Sequence, residues 1–268
     1  MTPIFSRVLT ALLLLAVFVP AILWAPAWLW AILTAAVVGM AAFEWARLSH
    51  FSPLFAGAYG LLLPLVALAL RYGMADWPAF QTGLLLLAVA FWLAVAPLWL
   101  LLRWRAEQVF VRAAVGVVLL LPTWAALLYL RDERGPGVLL AVMAIVWIAD
   151  SAAYFSGRRF GRHKLAPAIS PGKTWEGIAG ALVALALYAG LLSKLAGMPL
   201  LPLFVMVAGL LYISVLGDLF ESWIKRVAGM KDSGNVLPGH GGVLDRIDAL
   251  TSTLPVATGM LMWLERAA

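Results

Sequence analysis

Residues 200–226 read LLPLFVMVAGLLYISVLGDLFESWIKR. No charge occurs between Leu200 and Gly217; then Asp218, Glu221, Lys225 and Arg226 follow in close order. A helix that crosses a bilayer needs about 20 mostly apolar residues, so this run predicts a membrane span that ends in a charged tip. The same pattern recurs along the chain. Candidate spans fall near residues 8–25, 27–46, 54–71, 81–102, 109–130, 136–156, 177–197, 200–220 and 249–264, about nine transmembrane helices in all. Composition agrees. Of 268 residues 64% are hydrophobic and 12% charged, against about 25% charged in soluble domains. A soluble globular fold, disorder, collagen and a disulfide scaffold are all excluded. The expected fold class is an all-α polytopic membrane protein, a single transmembrane domain over 1–268. Within it, residues 1–130 carry little functional signal. The unusual sequence lies in 150–250, in two polar stretches at 150–177 and 217–248.

Basic residues set the expected orientation. With the N-terminus cytoplasmic and the spans alternating, one face collects 14 of the 19 Lys and Arg: Arg7, Arg47, Arg103, Arg105, Arg112, Arg158, Arg159, Arg162, Lys164, Lys173, Lys225, Arg226, Lys231 and Arg246. The other face collects Arg71, Arg131, Arg134, Lys194 and Arg266. Nine spans then put the C-terminus outside, and both polar stretches fall on the cytoplasmic face. Ala25-Pro26-Ala27 resembles a signal-peptide cleavage site, but the apolar run before it is long and proline is poor beside a scissile bond. The chain has no cysteine, which removes disulfides, thiolate metal sites and cysteine nucleophiles. A net charge of +6 reads as cytoplasmic basic loops and anionic ligands, not as a nucleic-acid footprint.

The first polar stretch opens with Asp150 at the end of an apolar run. A carboxylate at that depth is expensive and by default functional. Arg158, Arg159, Arg162 and Lys164 follow as a basic cluster, a common form of cytoplasmic anchoring. Ser170-Pro171-Gly172-Lys173-Thr174 predicts a helix start, with Ser170 at the N-cap and Pro171 at the first helical position. Lys173 then sits in the first turn, where the helix dipole disfavours a cation and a bound phosphate would resolve the conflict. Gly-Lys-Thr also matches the end of a P-loop, but Pro167 occupies the place of its first glycine, so that reading fails.

In the second stretch a helix over 218–226 puts Asp218, Glu221, Ser222 and Lys225 on one face, with Leu219, Phe220, Trp223 and Ile224 opposite. Asp245 and Asp248 share a face at the start of the last span. If the two helix ends meet, these carboxylates suit Mg²⁺, which takes one or two carboxylates plus waters and phosphates. The alternative is salt bridging with Lys225, Arg226 and Arg246. His240, between glycines, is a candidate ligand contact. Ser222, His240 and an aspartate would make a hydrolytic triad, but no Gly-x-Ser-x-Gly elbow is present.

Ser222-x-Ile-Lys-Arg, then Lys231-Asp-x-Gly, then Leu237-Pro-x-His-Gly-Gly-Val-x-Asp245-Arg-Ile-Asp248 resembles the signature of phosphatidate cytidylyltransferases, or CDP-diacylglycerol synthases. Asp150-Ser-Ala-Ala-Tyr and Ser170-Pro-Gly-Lys-Thr-Trp-Glu-Gly are similar to the same family, with Ser151 where threonine is common. The likeness is close over about 150–250, and the first 110 residues match in hydrophobicity only. The resemblance implies transfer of the cytidylyl group of CTP to phosphatidate, with release of pyrophosphate, by a homodimer in a bacterial inner membrane. It implies Mg²⁺, with K⁺ as a second cation. Asp218 and Asp245 would be metal ligands, joined by Asp248; Lys225 and Arg226 would serve the transfer. Ser170, Lys173, Thr174, Lys231, His240, Arg246, Asp150, Glu221 and Ser222 would meet the substrates. A CTP-dependent transferase or kinase acting on another lipid acceptor stays open. So does an ion or solute transporter, although that class places charges near the bilayer midplane rather than at one face.

Overall fold

A computed structural model describes residues 15–236 and 241–267. Its helices are α1 (Leu15–Trp24), α2 (Ala27–Leu48), α3 (Pro53–Gly73), α4 (Trp77–Leu102), α5 (Val109–Glu133), α6 (Pro136–Phe160), α7 (Trp175–Ala196), α8 (Leu200–Val227) and α9 (Leu244–Ala267). Eight of them, α2 to α9, are long and apolar enough to cross a membrane. The first candidate span, 8–25, lies partly outside the described residues, and α1 is its described portion. The all-α polytopic expectation holds.

Local chemistry starts and stops these helices. Ser52 caps α3 by accepting from the Phe55 N–H, with Pro53 in the first turn. Asp76 does the same for α4 through the Ala79 N–H. Gly197, in the left-handed region at φ 65°, ends α7. The middle of α4 widens into a π turn over Phe91–Val95. Pro97 follows two residues later; a proline has no N–H to donate and crowds the carbonyl four residues earlier, here that of Leu93.

One feature departs from the all-helical reading. Residues Lys164–Ala166 (β1) and Ser170–Thr174 (β2) pair antiparallel, with Lys164 opposite Thr174 and Ala166 opposite Ser170. Ser170-Pro171 is therefore a strand, not the expected helix start. The true cap is Thr174, whose hydroxyl accepts from the Gly177 N–H at 3.1 Å. Pairing with 164–166 outweighs a local Ser-Pro preference, and the threonine four residues on offers an equally good cap.

The helices alternate up and down, so their ends form two polar layers. At one, Trp45 of α2 donates its indole N–H to the Arg112 carbonyl of α5, and Trp223 of α8 donates to the Trp104 carbonyl after α4. At the other, Arg131 at the end of α5 reaches the carbonyls of Ile22 (3.0 Å), Ala21 (3.4 Å) and Ala25 around α1, and Arg134 pairs with Glu265 at the end of α9. Between the layers lies an apolar core. Phe220 packs edge-to-face on Phe91, Trp92 and Trp99, with ring centroids 5.5, 5.7 and 5.6 Å away. Gly217 lets α8 and α9 approach closely, since a Cβ there would lie 2.9 Å from the Ser252 Cβ and 3.1 Å from the Asp248 carbonyl.

Candidate active site

The two polar stretches meet in the first of these layers. α8 runs on to Val227 and α9 begins at Leu244, both beyond the apolar windows, so the acids of 218–248 stand on helix rather than loop. With Phe220 locked among aromatics, the opposite face of α8 presents Asp218, Glu221, Ser222 and Lys225. Ser222 Oγ donates to Asp218 Oδ1 at 3.2 Å. Lys225 Nζ lies 2.7 Å from Asp245 Oδ1 and 3.5 Å from Glu221 Oε1. Asp245 therefore ties the start of α9 to the end of α8. Its second oxygen accepts from the backbone N–H groups of Ser233 (2.9 Å) and Gly242 (2.8 Å). Gly241 permits this close wrap at φ 84°, a region that suits glycine.

The hairpin closes the arrangement from the other stretch. Lys173 Nζ of β2 is 2.6 Å from Asp218 Oδ2. His163, just before β1, holds Glu176 of α7 through its ring Nδ1 (2.6 Å) and its backbone N–H (3.2 Å to each carboxylate oxygen). Asp150 on α6 stands within electrostatic reach of Lys173, Asp218 and Arg246. Asp248 stands within reach of Asp218, Glu221 and Lys225. Asp150 precedes the end of α6 at Phe160 by ten residues, about 15 Å at the helical rise. The cluster is thus sunk below the helix tips.

Of the expected site residues, Asp150, Lys173, Asp218, Glu221, Ser222, Lys225, Asp245, Asp248 and Arg246 come together. Thr174 does not join them: it is buried and caps α7. Ser170 sits in the strand pairing. Arg226 donates to the carbonyls of Ile169 (3.2 Å) and Met230 (3.3 Å), strapping the hairpin to α8. Lys231 is exposed on the loop after α8, and His240 lies outside the described residues.

The electrostatic balance is uneven. Glu221 is buried, with Lys225 Nζ at 3.5 Å and the Asp248 carboxyl beside it. No three His, Asp or Glu side chains among the described residues form a ready-made metal cage. The oxygens of Asp218, Glu221 and Asp248 are nevertheless hard donors that suit Mg²⁺. Asp218 and Asp245 are both engaged: Asp218 accepts from Ser222 and pairs with Lys173, and Asp245 accepts from Lys225, Ser233 and Gly242.

One residue escaped the sequence reading. Glu44 of α2 is fully buried and accepts from Ser233 Oγ (2.9 Å), the Val243 N–H (3.0 Å) and the Leu244 N–H (2.8 Å). The signal was available: a carboxylate near the end of a span is suspect for the reason that singled out Asp150.

The model of the cytidylyltransferase family matches residues 5–264. This chain belongs to the cytidylyltransferase family. It is 39% identical to the phosphatidate cytidylyltransferase of Pseudomonas aeruginosa over 270 residues, covering 96% of each chain. It is 37% identical to that of Brucella suis over 239 residues, 85% of this chain and 80% of the relative. The phosphatidate cytidylyltransferase of Haemophilus influenzae is 46% identical over 149 residues, about half of each chain. The cytidylyltransferase match takes in the N-terminal spans, so the likeness reaches past 150–250 into the half that carries Glu44.

Proposed function

We infer that this protein transfers the cytidylyl group of CTP to phosphatidate, giving CDP-diacylglycerol and pyrophosphate. The observation that carries this reading is the junction of the two polar stretches, through Lys173–Asp218 and Lys225–Asp245, into one charged recess at the helix ends. Phosphatidate stays in the bilayer while CTP is soluble. A shared site belongs where helix tips meet headgroups, and the relatives named above carry this activity in their names.

The chemistry asks for little proton movement. An ionised oxygen of the lipid phosphomonoester attacks the α-phosphorus of CTP and forms the new P–O bond. The bond from that phosphorus to the bridging oxygen breaks, and its electron pair leaves on pyrophosphate. Repulsion between two anions and charge on the leaving group make the barrier, so positioning and electrostatic stabilisation dominate. Lys173 and Lys225, both held beside carboxylates, are the cations placed to meet phosphates, with Arg246 at the edge. The carboxylates of Asp218, Asp245 and Asp248 would hold Mg²⁺, Asp218 by sharing its contact with Lys173 and Asp245 by sharing its contact with Lys225. When bound, Mg²⁺ supplies charge neutralisation at the α-phosphate. What disfavours a transporter is the match to the cytidylyltransferase family over residues 5–264.

The remaining parts of the reading rest on the resemblance and the charge bias. The site face is cytoplasmic, the C-terminus lies outside, the membrane is a bacterial inner membrane, the protein is a homodimer, and K⁺ is a second cation. The deciding experiment gives purified full-length protein labelled CTP and phosphatidate, with and without EDTA. Lipid-dependent formation of CDP-diacylglycerol that EDTA abolishes is expected. CTP turnover on a different lipid phosphate or alcohol but not on phosphatidate would move the acceptor. Solute flux in liposomes without CTP turnover would overturn the enzyme.

A further inference from the structure

Glu44 is a buried charge that the reaction as described does not use. It stands four residues before the end of α2, yet its three hydrogen-bond donors are 189 to 200 residues further along the chain. Two of the donors are backbone N–H groups at the start of α9, where a carboxylate is favoured by the free amides and the helix dipole. The third, Ser233 Oγ, belongs to the loop between α8 and α9. Ser233 is shared: its hydroxyl goes to Glu44 and its backbone N–H goes to Asp245. The slot around the carboxylate admits nothing larger. A Cβ on Gly234 would come 2.5 Å from Glu44 Oε1, and one on Gly242 would collide with both Ser233 Oγ and the Glu44 carboxylate. α2 itself is fixed, because the neighbouring Trp45 donates its indole N–H to the Arg112 carbonyl at 2.8 Å.

We propose that Glu44 is a positioning residue for cytidylyl transfer: from the N-terminal half of the chain it sets the first turn of α9 and the loop before it, and so presents Asp245 and Asp248 to the substrates. A buried anion with three donors fixes its partners more firmly than a neutral cap, because hydrogen bonds to charged groups are stronger and directional. Glutamine at this position is nearly the same size but must turn an amide NH₂ toward at least one N–H or O–H donor. The first turn of α9 then loses its reference point without a cavity being made.

The test rests on the cytidylyltransferase reading, and wild-type turnover in the same assay checks that reading separately. Full-length E44Q, S233A and the double variant are compared by kcat and KM for CTP, normalised to the folded fraction from thermal unfolding in detergent. For E44Q a fall in kcat of about tenfold or more is expected, the size of one charged hydrogen bond, with KM changed far less. S233A should fall less, and the double variant should fall by less than the product of the two. D76A removes the cap of α4 at the opposite end of the bundle and should lower stability without changing kcat. A wild-type kcat in E44Q, a loss confined to KM, or a loss that follows the folded fraction overturns the proposal. Should E44Q fail to fold, S233A decides alone, and an unchanged kcat there overturns it too.

Discussion

The bundle has charge at both ends, and the two ends use it differently. At the end of α5, Arg131 donates to three backbone carbonyls around α1 and pairs with Asp132 at 2.9 Å, while Arg134 pairs with Glu265. These guanidinium groups complete helix ends and hold neighbours together. At the other end, acids outnumber what the protein offers them. Lys225 serves Asp245 and Glu221 together, and Glu221 stands against the carboxyl of Asp248. Charge at membrane depth is therefore a poor marker of chemistry by itself. A cluster of carboxylates that share too few cations is the better one, because their mutual repulsion is a cost that a bound cation relieves.

The contrast can be broken most directly with D218N and D245N. Each should lower kcat by about 100-fold or more, the scale of one lost electrostatic contribution to the transition state; D218N should keep a near wild-type thermal transition, whereas D245N should also destabilise, because it removes the anion that Lys225 and the Ser233 and Gly242 N–H groups share. Near-normal turnover in both would erase the distinction between the two ends. K225M comes next. It strands Asp245 and Glu221 as buried carboxylates without their cation, and should cost about 3 kcal/mol of stability, read from denaturant unfolding in detergent. Adding E221Q should restore part of that loss, which sharpens the claim that the site end carries excess negative charge. R131A gives the smallest effect and the opposite signature. Several carbonyls lose a charged donor, so stability should drop by about 2 kcal/mol, but kcat per folded molecule should not change. A catalytic defect in R131A would show that the far end is not merely structural.

Much of this was legible beforehand because the chain is so apolar. In such a sequence each acid stands out, and Asp150, Asp218, Asp245 and Asp248 were found by that contrast. The i, i+3, i+4, i+7 spacing of Asp218, Glu221, Ser222 and Lys225 predicted a shared face, and the face exists. What stayed hidden depends on distant partners. Ser170-Pro171 has the local chemistry of a helix start, and only strand pairing with 164–166 overrides it. The Ile169 carbonyl that Arg226 reaches lies 57 residues back along the chain, out of range of any local pattern. Glu44 lies some 190 residues from Ser233, and no periodicity within α2 points across that gap. The π turn before Pro97 follows a known rule, yet its place beside Phe220 is a matter of packing.

The aromatic nest around Phe220 has one more consequence. Phe91, Trp92 and Trp99 grip that ring from three sides, so α8 cannot roll about its axis without prising all three contacts apart. Glu221, the immediate neighbour of Phe220, and Asp218, two residues back, are held in register by the same grip. The short hairpin is held to the same helix from outside, by Lys173 on Asp218 and by Arg226 on the Ile169 carbonyl.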